Sequence, residues 1–408
     1  MREIVKIYPR TNNSSFLEFS IPGNPRGHLD LNNVLLHFNI EIPTTSTSPY
    51  GSDGKKPAVQ PQNYLGPKQF STVDVKINGR TVAGRSCQNE YFLSSYFQHI
   101  INYGATYIKT GCRTIGVFDH QNFLTKELKS MSDAQKSHVN LTRSNILHYS
   151  GKFEIVMPID SSIFYSNNFL PTKTPIDLSF ERLKSRFSTI MVEDANKGEM
   201  VDSVLELKDC YLEVPFVKDD ETFDSERGLI NKPIKISYDD FSIRKHNILA
   251  GTNSVSLTNV MTGKLPTLLL WGLQSKNSYN GSFEHSSTRF NKFGINKVTL
   301  FINGSVVNGF PIYSPSGFAS SPYNKFLQNT NQQMNSNVGD CLMIRDYAQY
   351  NFILSARLNK NEYGSLSFQF DFDEDIAEDL VLVTCAINEE QLKIDQYRNF
   401  EISNNNSY

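Results

Sequence analysis

"VDVKINGRTV" (residues 73–82) and "VTLFINGSVV" (298–307) are one phrase written twice, once in each half of a 408-residue chain. Each is an alternating apolar run, then Ile-Asn-Gly, then a second β-branched run. Apolar residues at every second position mark a half-buried strand. Asn-Gly between two such runs marks a hairpin, because a type I′ turn needs positive φ at both central residues. The pattern predicts hairpins turning at Asn78-Gly79 and at Asn303-Gly304.

The neighbourhood of the phrase repeats as well. In the first half, "SFLEFSIPG" (15–23) and "NNVLLHFNIEI" (32–42) keep a period of two, the second from Val34 to Ile42. A polar, Pro-rich stretch (43–62) reads as a surface loop. After the first hairpin the period changes: apolar residues at 92, 93, 96, 97, 100 and 101 have helical spacing. Strands resume at 153–159, 175–183 and 202–217. An acidic, polar joint, "KDDETFDSERGLINKP" (218–233), follows. The second half then restarts with strands at 234–243, 253–260 and "LPTLLLWGL" (265–273), and reaches the second hairpin. A helix at 322–334 places Tyr323, Phe326, Leu327, Thr330 and Met334 on one face. Strands at 350–358, 364–372 and 380–387 complete it. This order predicts two copies of one β-rich domain: 1–218, a linker at 219–233, and 234–408. Many strands with few helices favour a sandwich, and the eight-stranded jelly roll is the common solution that controls its sheet edges. The expected fold is therefore all-β, two tandem jelly rolls with short helices after the Asn-Gly hairpins.

Bulk composition narrows the function. A hydrophobic content of 39% and an aromatic content of 12% suffice for large cores and exclude wholesale disorder. A net charge of −2 lacks the basic excess of proteins that coat nucleic acid. Five scattered cysteines, with no Cys-x-x-Cys, read as reduced thiols. The N-terminus lacks the apolar core of a signal peptide, and no apolar run approaches the ~20 residues that span a bilayer.

Catalytic patterns are missing. No two of the eight histidines have metal-ligand spacing, and there is no Gly-x-Ser-x-Gly elbow. Thr262-Gly263-Lys264 ends like a phosphate loop, but Thr258 stands where the upstream glycine belongs, so a turn is expected. His99 reads as a helix-face residue rather than a base. The acidic run "DFDEDIAED" (371–379) lacks the spacing of a calcium loop and reads as a solvated turn. Arg2, Lys6 and Arg10 make the first ten residues a basic arm or a frayed end. The tail "EISNNNSY" (401–408) reads as disordered. No cofactor or metal is expected, and no enzyme activity.

Several segments, in order along nearly the whole chain, resemble the double-jelly-roll major capsid proteins of polinton (Maverick) elements and adintoviruses. They are "FSIPG…HLDLNNVLLHFNIEI" (19–42), "DSSIFYSNNFLP" (160–171), "IDLSF" (176–180) and "SRFSTIM" (185–191). The most specific is 264–310, where a Leu-Pro step leads through a Phe-rich turn to the second hairpin. "IRDYAQYNFILSARL" (344–358) and "IDQYRNF" (394–400) complete the set. The first hundred residues match loosely, and the 43–70 loop has no counterpart.

The resemblance implies a role rather than a catalytic site. It implies a homotrimer of six rolls, a pseudo-hexagonal tile of an icosahedral virion shell assembled inside the host cell. Its partners would be neighbouring capsomers and penton or minor capsid proteins, without sequence-specific nucleic acid binding or a transmembrane segment. A host-domesticated copy of such a gene, and a carbohydrate-binding or hydrolytic sandwich, remain the alternatives at this point.

Overall fold

The structure is a computed structural model. It describes residues 2–24, 27–42, 59–83, 89–104, 107, 110–118, 122, 124, 125–132, 135, 152–166, 168–191, 202–218, 234–315, 319–332, 342–359, 362–395 and 399–403. The joint expected at 219–233 lies outside them, as do Met334, Cys87 and Cys341.

The first half contributes eight principal strands: β1 Arg2–Ile7, β2 Phe16–Ile21, β3 Leu35–Glu41, β4 Phe70–Ile77, β5 Arg80–Ala83, β6 Lys152–Pro158, β7 Ile176–Arg182 and β8 Leu207–Lys218. The second half repeats them: β9 Ile234–Ile248, β10 Ser254–Lys264, β11 Leu268–Ser275, β12 Ile295–Ile302, β13 Ser305–Val306, β14 Ile353–Arg357, β15 Tyr363–Phe372 and β16 Leu380–Ile394. The first half forms two sheets, β1-β8-β3-β6 and β2-β7-β4-β5. The second forms β9-β16-β11-β14 and β10-β15-β12-β13. Adding eight to each strand number of the first half gives the second, so both halves wind as the same jelly roll. All these pairings are antiparallel, and among the described residues no strand pairs across the halves.

Alternation explains which face each strand buries. Leu17, Phe19 and Ile21 on β2, Leu36, Phe38 and Ile40 on β3, and Ile176, Leu178 and Phe180 on β7 are all buried. Each contributes about 1.5–3 kcal/mol by leaving water. In the second roll Leu366, Phe368, Phe370 and Phe372 do the same on β15, with the three Phe rings stacked in series. Strand β11 breaks the alternation: Leu269, Leu270, Trp271 and Leu273 are all buried because both faces of its sheet are covered.

The two expected helices follow the hairpins, α1 at Glu90–Asn102 and α2 at Ser320–Asn329. Their surroundings differ. Ten of the thirteen residues of α1 are buried, whereas α2 buries only Pro322 and Phe326.

Several local readings need correction: Val59–Pro61, read as surface loop, pair with Thr189–Met191, and Thr262–Lys264, read as a turn, lie inside β10. The basic first residues are neither an arm nor a frayed end. Arg2–Ile7 pair with β8 as an edge strand, with Val5 and Ile7 against the core. Their charges are used locally: Arg2 pairs with Asp30, Lys6 lies 4.3 Å over the Tyr211 ring, and Arg10 sits 3.9 Å from Asp177. At the other end, Phe400–Ser403 add a strand to Gln391–Ile394, so 401–403 are ordered by a ladder. Finally, Ile344–Tyr350 is a helix, and the strand read at 350–358 begins at Ile353.

Candidate functional site

The hairpin residues sit at exposed tips. Asn78 and Gly79 have φ of 50° and 77°, Asn303 and Gly304 of 51° and 81°. Each Asn backbone N–H donates to a carbonyl of the neighbouring strand: Asn78 to Pro175 (2.9 Å), just before β7, and Asn303 to Ser365 (3.0 Å), within β15. A Cβ on Gly79 or Gly304 would meet nothing within 4 Å, so backbone conformation alone selects glycine there. Gly304→Ala is expected to cost about 1–2 kcal/mol from the left-handed φ, read as a lowered urea midpoint, with Gly79→Ala matching it. These tips are set by backbone conformation at the exposed ends of the hairpins.

The polar residues converge instead on the seam between the rolls. Its wedge is the β11–β12 connection of the second roll, "FEHSSTRF" (283–290), seated against the first roll. Lys68, fully buried, donates to Gln62 Oε1 (2.9 Å) and across the seam to Thr288 Oγ1 (3.1 Å). Asn122 Oδ1 accepts from the Ser286 and Thr288 hydroxyls, and its Nδ2 donates to Asn351 Oδ1 (3.1 Å). Tyr96 OH on α1 donates to the same Asn351 oxygen at 2.9 Å. Arg289 grips Glu127 with two nitrogens, at 2.6 and 2.9 Å. Asn89 Nδ2 reaches the Tyr279 carbonyl at 2.8 Å. Apolar packing completes the seam: Phe290 stacks on Tyr96 at 5.4 Å and lies 5.6 Å from the Phe97 ring. Gly272 makes room for it, since a Cβ there would come within 2.6 Å of the Phe290 ring. Buried polar groups are tolerated only when partnered, so this network fixes how the two rolls sit.

A second knot lies under α1 in the first roll. The Asp160 carboxylate, with no exposed side-chain surface, accepts from Ser95 Oγ and Tyr165 OH, and its amide donates to Tyr91 OH at 3.2 Å. His99 Nε2 lies 3.7 Å from Asp160 Oδ1, and its ring stacks on Tyr64. Burial first, then the Asp160 charge, push the Tyr91 and Tyr165 hydroxyls well above their usual range. The same two causes push the Cys112 thiol up to about 12. Burial raises Cys210 to about 11 as well. These thiols stay protonated and un-nucleophilic at neutral pH. The sequence reading had His99 on a helix face; it missed that this face is the inner one, and Asp160, in a Pro-Ile-Asp-Ser turn, gave no pattern to find.

The acidic run 371–379 is tied into the second roll. Asp371 binds Ser254 Oγ at 2.7 Å and Lys297 at 3.3 Å, and Asp379 binds Lys276 at 3.0 Å. Hydrogen bonds from Ser254 and Lys276, respectively, are the largest causes holding the two carboxyls below the usual range. Among the described residues no group of His, Cys, Asp or Glu is arranged to hold a metal, and none of the helices is long and apolar enough to cross a membrane.

Where the seam opens, a cleft of about 920 Å³ lies between the rolls. One wall comes from Leu31–Leu35 and Phe164–Ser166, with Asn102 at the end of α1 and Tyr103 and Tyr107 after it. The other comes from β9 and β16. Asp239 and Glu389 stand directly opposite each other on those two strands and line this cleft. Partial burial, then the Glu389 charge, raise the Asp239 carboxyl above its ordinary value. A raised carboxylate costs stability above its folded pKa, and the cost vanishes below the unfolded value, about 3.9. Asp239→Asn is therefore expected to stabilise the chain at pH 7 and to lose that advantage as pH falls below about 4, measured by urea midpoints across pH.

No family model matches this chain, and no curated protein matches it. Solved structures do. A chain from the cryo-EM structure of the Sputnik virophage matches with a TM-score of 0.61 at 13% identity, covering 99% of this chain and 88% of that one. The mavirus major capsid protein matches at 0.56 and 10%, covering 98% and 90%. The capsid model of the virus PBCV-1 matches at 0.56 and 9%, covering 99% and 96%. Identities this low report architecture alone, and the coverage extends it over both rolls. The chain has the double jelly-roll fold of these viral capsid proteins.

Proposed function

We propose that this chain is a structural major capsid protein of the polinton/adintovirus kind and not an enzyme. The observation that carries the reading is the repeated strand order, two equivalent rolls fixed to each other by a buried seam. Three such chains around an axis present six similar rolls, a pseudo-hexagonal tile. Tiles of this shape close into an icosahedral shell through repeated heterologous contacts. A net charge of −2 suits subunits that pack side by side. The same proposal places the domain boundary at 219–233, between rolls at 1–218 and 234–408. It gives the chain a homotrimeric state, neighbouring capsomers and penton or minor capsid proteins as partners, and the virion as its location after assembly inside the host cell.

Mass photometry with negative-stain imaging of the purified chain tests it. Particles of about 140 kDa, three copies of the 46.4 kDa chain, with a hexagonal outline or as closed shells, support the reading. A stable round monomer at micromolar concentration overturns it.

A further inference from the structure

The second hairpin leads into an arm whose chemistry does not depend on the capsid reading. The chain contains four Asn-Gly pairs, at 78–79, 280–281, 303–304 and 308–309. Asparagine is the thermolabile partner in such a pair, and glycine leaves its backbone nitrogen open to close approach. A succinimide ring closes when that nitrogen reaches the asparagine Cγ. Closure needs rotation about the asparagine Cα–C bond and a side chain free to turn. The four pairs differ in whether the fold permits this.

Three of the pairs are held. Asn303 is fixed at both ends: its N–H donates to the Ser365 carbonyl at 3.0 Å, and its Oδ1 accepts from the Ser365 N–H at 2.9 Å. Its side chain also packs on bare backbone, since a Cβ on Gly364 would come within 2.6 Å of that oxygen. The Asn78 N–H is bonded to the Pro175 carbonyl in the same way. Asn280 ends the short helix Lys276–Asn280, and the nitrogen that would attack it is engaged: the Gly281 N–H donates to the Ser278 carbonyl at 3.3 Å. Gly281 itself lies against the Phe187 ring, which would stand 2.9 Å from a Cβ there.

Asn308 is held by none of these means. The chain leaves β12 after Val307 and rejoins it at Ile312. Between them, Asn308 and Gly309 are the central pair of a turn closed by the Phe310 N–H on the Val307 carbonyl at 3.1 Å. Both are exposed. Among the described residues, neither the Asn308 side chain, nor its N–H, nor the Gly309 N–H makes a hydrogen bond. Lys325 Nζ stands beside Gly309 and donates to its carbonyl at 3.3 Å. A neighbouring cation favours the deprotonated form of a group, here the peptide nitrogen that must attack. We infer that Asn308-Gly309 is a self-modifying site, where Asn308 converts to aspartate and isoaspartate ahead of the other three pairs, with Lys325 as the positioning residue. The Gly309 nitrogen bonds to Asn308 Cγ, and Nδ2 leaves as ammonia with the Gly309 amide proton. Water then opens the ring at either carbonyl. One opening gives aspartate, and the other routes the main chain through Cβ and Cγ as isoaspartate. Each product adds one negative charge to an arm that also exposes Val306 and Tyr313.

The test incubates the purified full chain at physiological temperature and mildly alkaline pH in heavy-oxygen water. Peptide mapping with fragment-ion sequencing locates each new carboxylate, and an isoaspartyl methyltransferase counts the isoaspartate. Asn308 should convert at least tenfold faster than Asn78, Asn280 or Asn303. Its rate should rise with pH, because the attacking group is the peptide anion. In concentrated urea, where no fold holds any pair, the four rates should converge. Lys325→Gln should slow Asn308 about threefold and leave the thermal midpoint nearly unchanged, whereas Lys325→Arg keeps the cation and should keep the rate. Equal rates at the four pairs of the folded chain overturn the proposal, as does a faster rate at any of the other three. So does an Asn308 that stays intact while the urea-unfolded chain converts, or an Asn308 rate that Lys325→Gln does not lower.

Discussion

Phe290→Ala should destabilise the chain by about 3–5 kcal/mol, the usual cost of emptying a buried aromatic site. Phe290 has no exposed surface and lies between Tyr96 and Phe97 of the first roll and the bare backbone of Gly272 in the second. Its own amide and carbonyl are bonded to Tyr350 and Phe352, which hold the wedge in place while the ring is removed. The void then has little freedom to collapse. Against a total stability of roughly 5–15 kcal/mol for a typical domain, the loss is a large fraction. Urea unfolding reads it as a lowered midpoint with an unchanged slope. A shift below about 1 kcal/mol would mean that the rolls do not lean on this ring.

Asp160→Ala should cost a similar amount, about 3–5 kcal/mol, because it leaves two buried hydroxyl donors without their acceptor, at about 1–3 kcal/mol each. Ser95 Oγ and Tyr165 OH would lose an acceptor whose own side chain has no exposed surface. Asp160→Asn keeps one carbonyl acceptor and should cost less, about 1–3 kcal/mol. The difference between the two variants, measured by thermal and urea unfolding, isolates the acceptor from the packing. Added salt should change neither value much, since a buried site is poorly screened. Equal costs for Ala and Asn would mean the site needs only a side chain of that volume.

The fold was legible in this sequence because strand periodicity and turn chemistry are local. Leu17, Phe19 and Ile21 could face only one way once they alternate, and Asn-Gly between such runs has few other uses. The copy of the pattern in the second half then settled the number of rolls. The seam was not legible, for the opposite reason. Lys68, Asn122, Thr288 and Asn351 are far apart along the chain, and each alone reads as a surface residue. Only tertiary proximity makes them a network. The same holds for Asp160, whose donors come from α1 and from the turn after β6. The edge strand at Arg2–Ile7 was misread because charge dominates its composition. Its apolar contribution is just Val5 and Ile7, and pairing with β8 outweighs the weak pattern.

The wedge at 283–290 also has a consequence in time. The first roll has all its strands by Lys218, yet Lys68 and Gln62 reach for Thr288 and Ser287, and Asn122 for Ser286. A ribosome adding about 5–20 residues per second delivers the first roll several seconds before its last hydrogen-bond partners. During that interval the nascent roll carries a polar, half-finished face that cannot yet dry. Folding of this chain is therefore sequential in its strands but concluded by its second half. A fragment ending at residue 218 should show native-like strand content with fast amide exchange around Lys68 and α1, whereas the full chain should protect both.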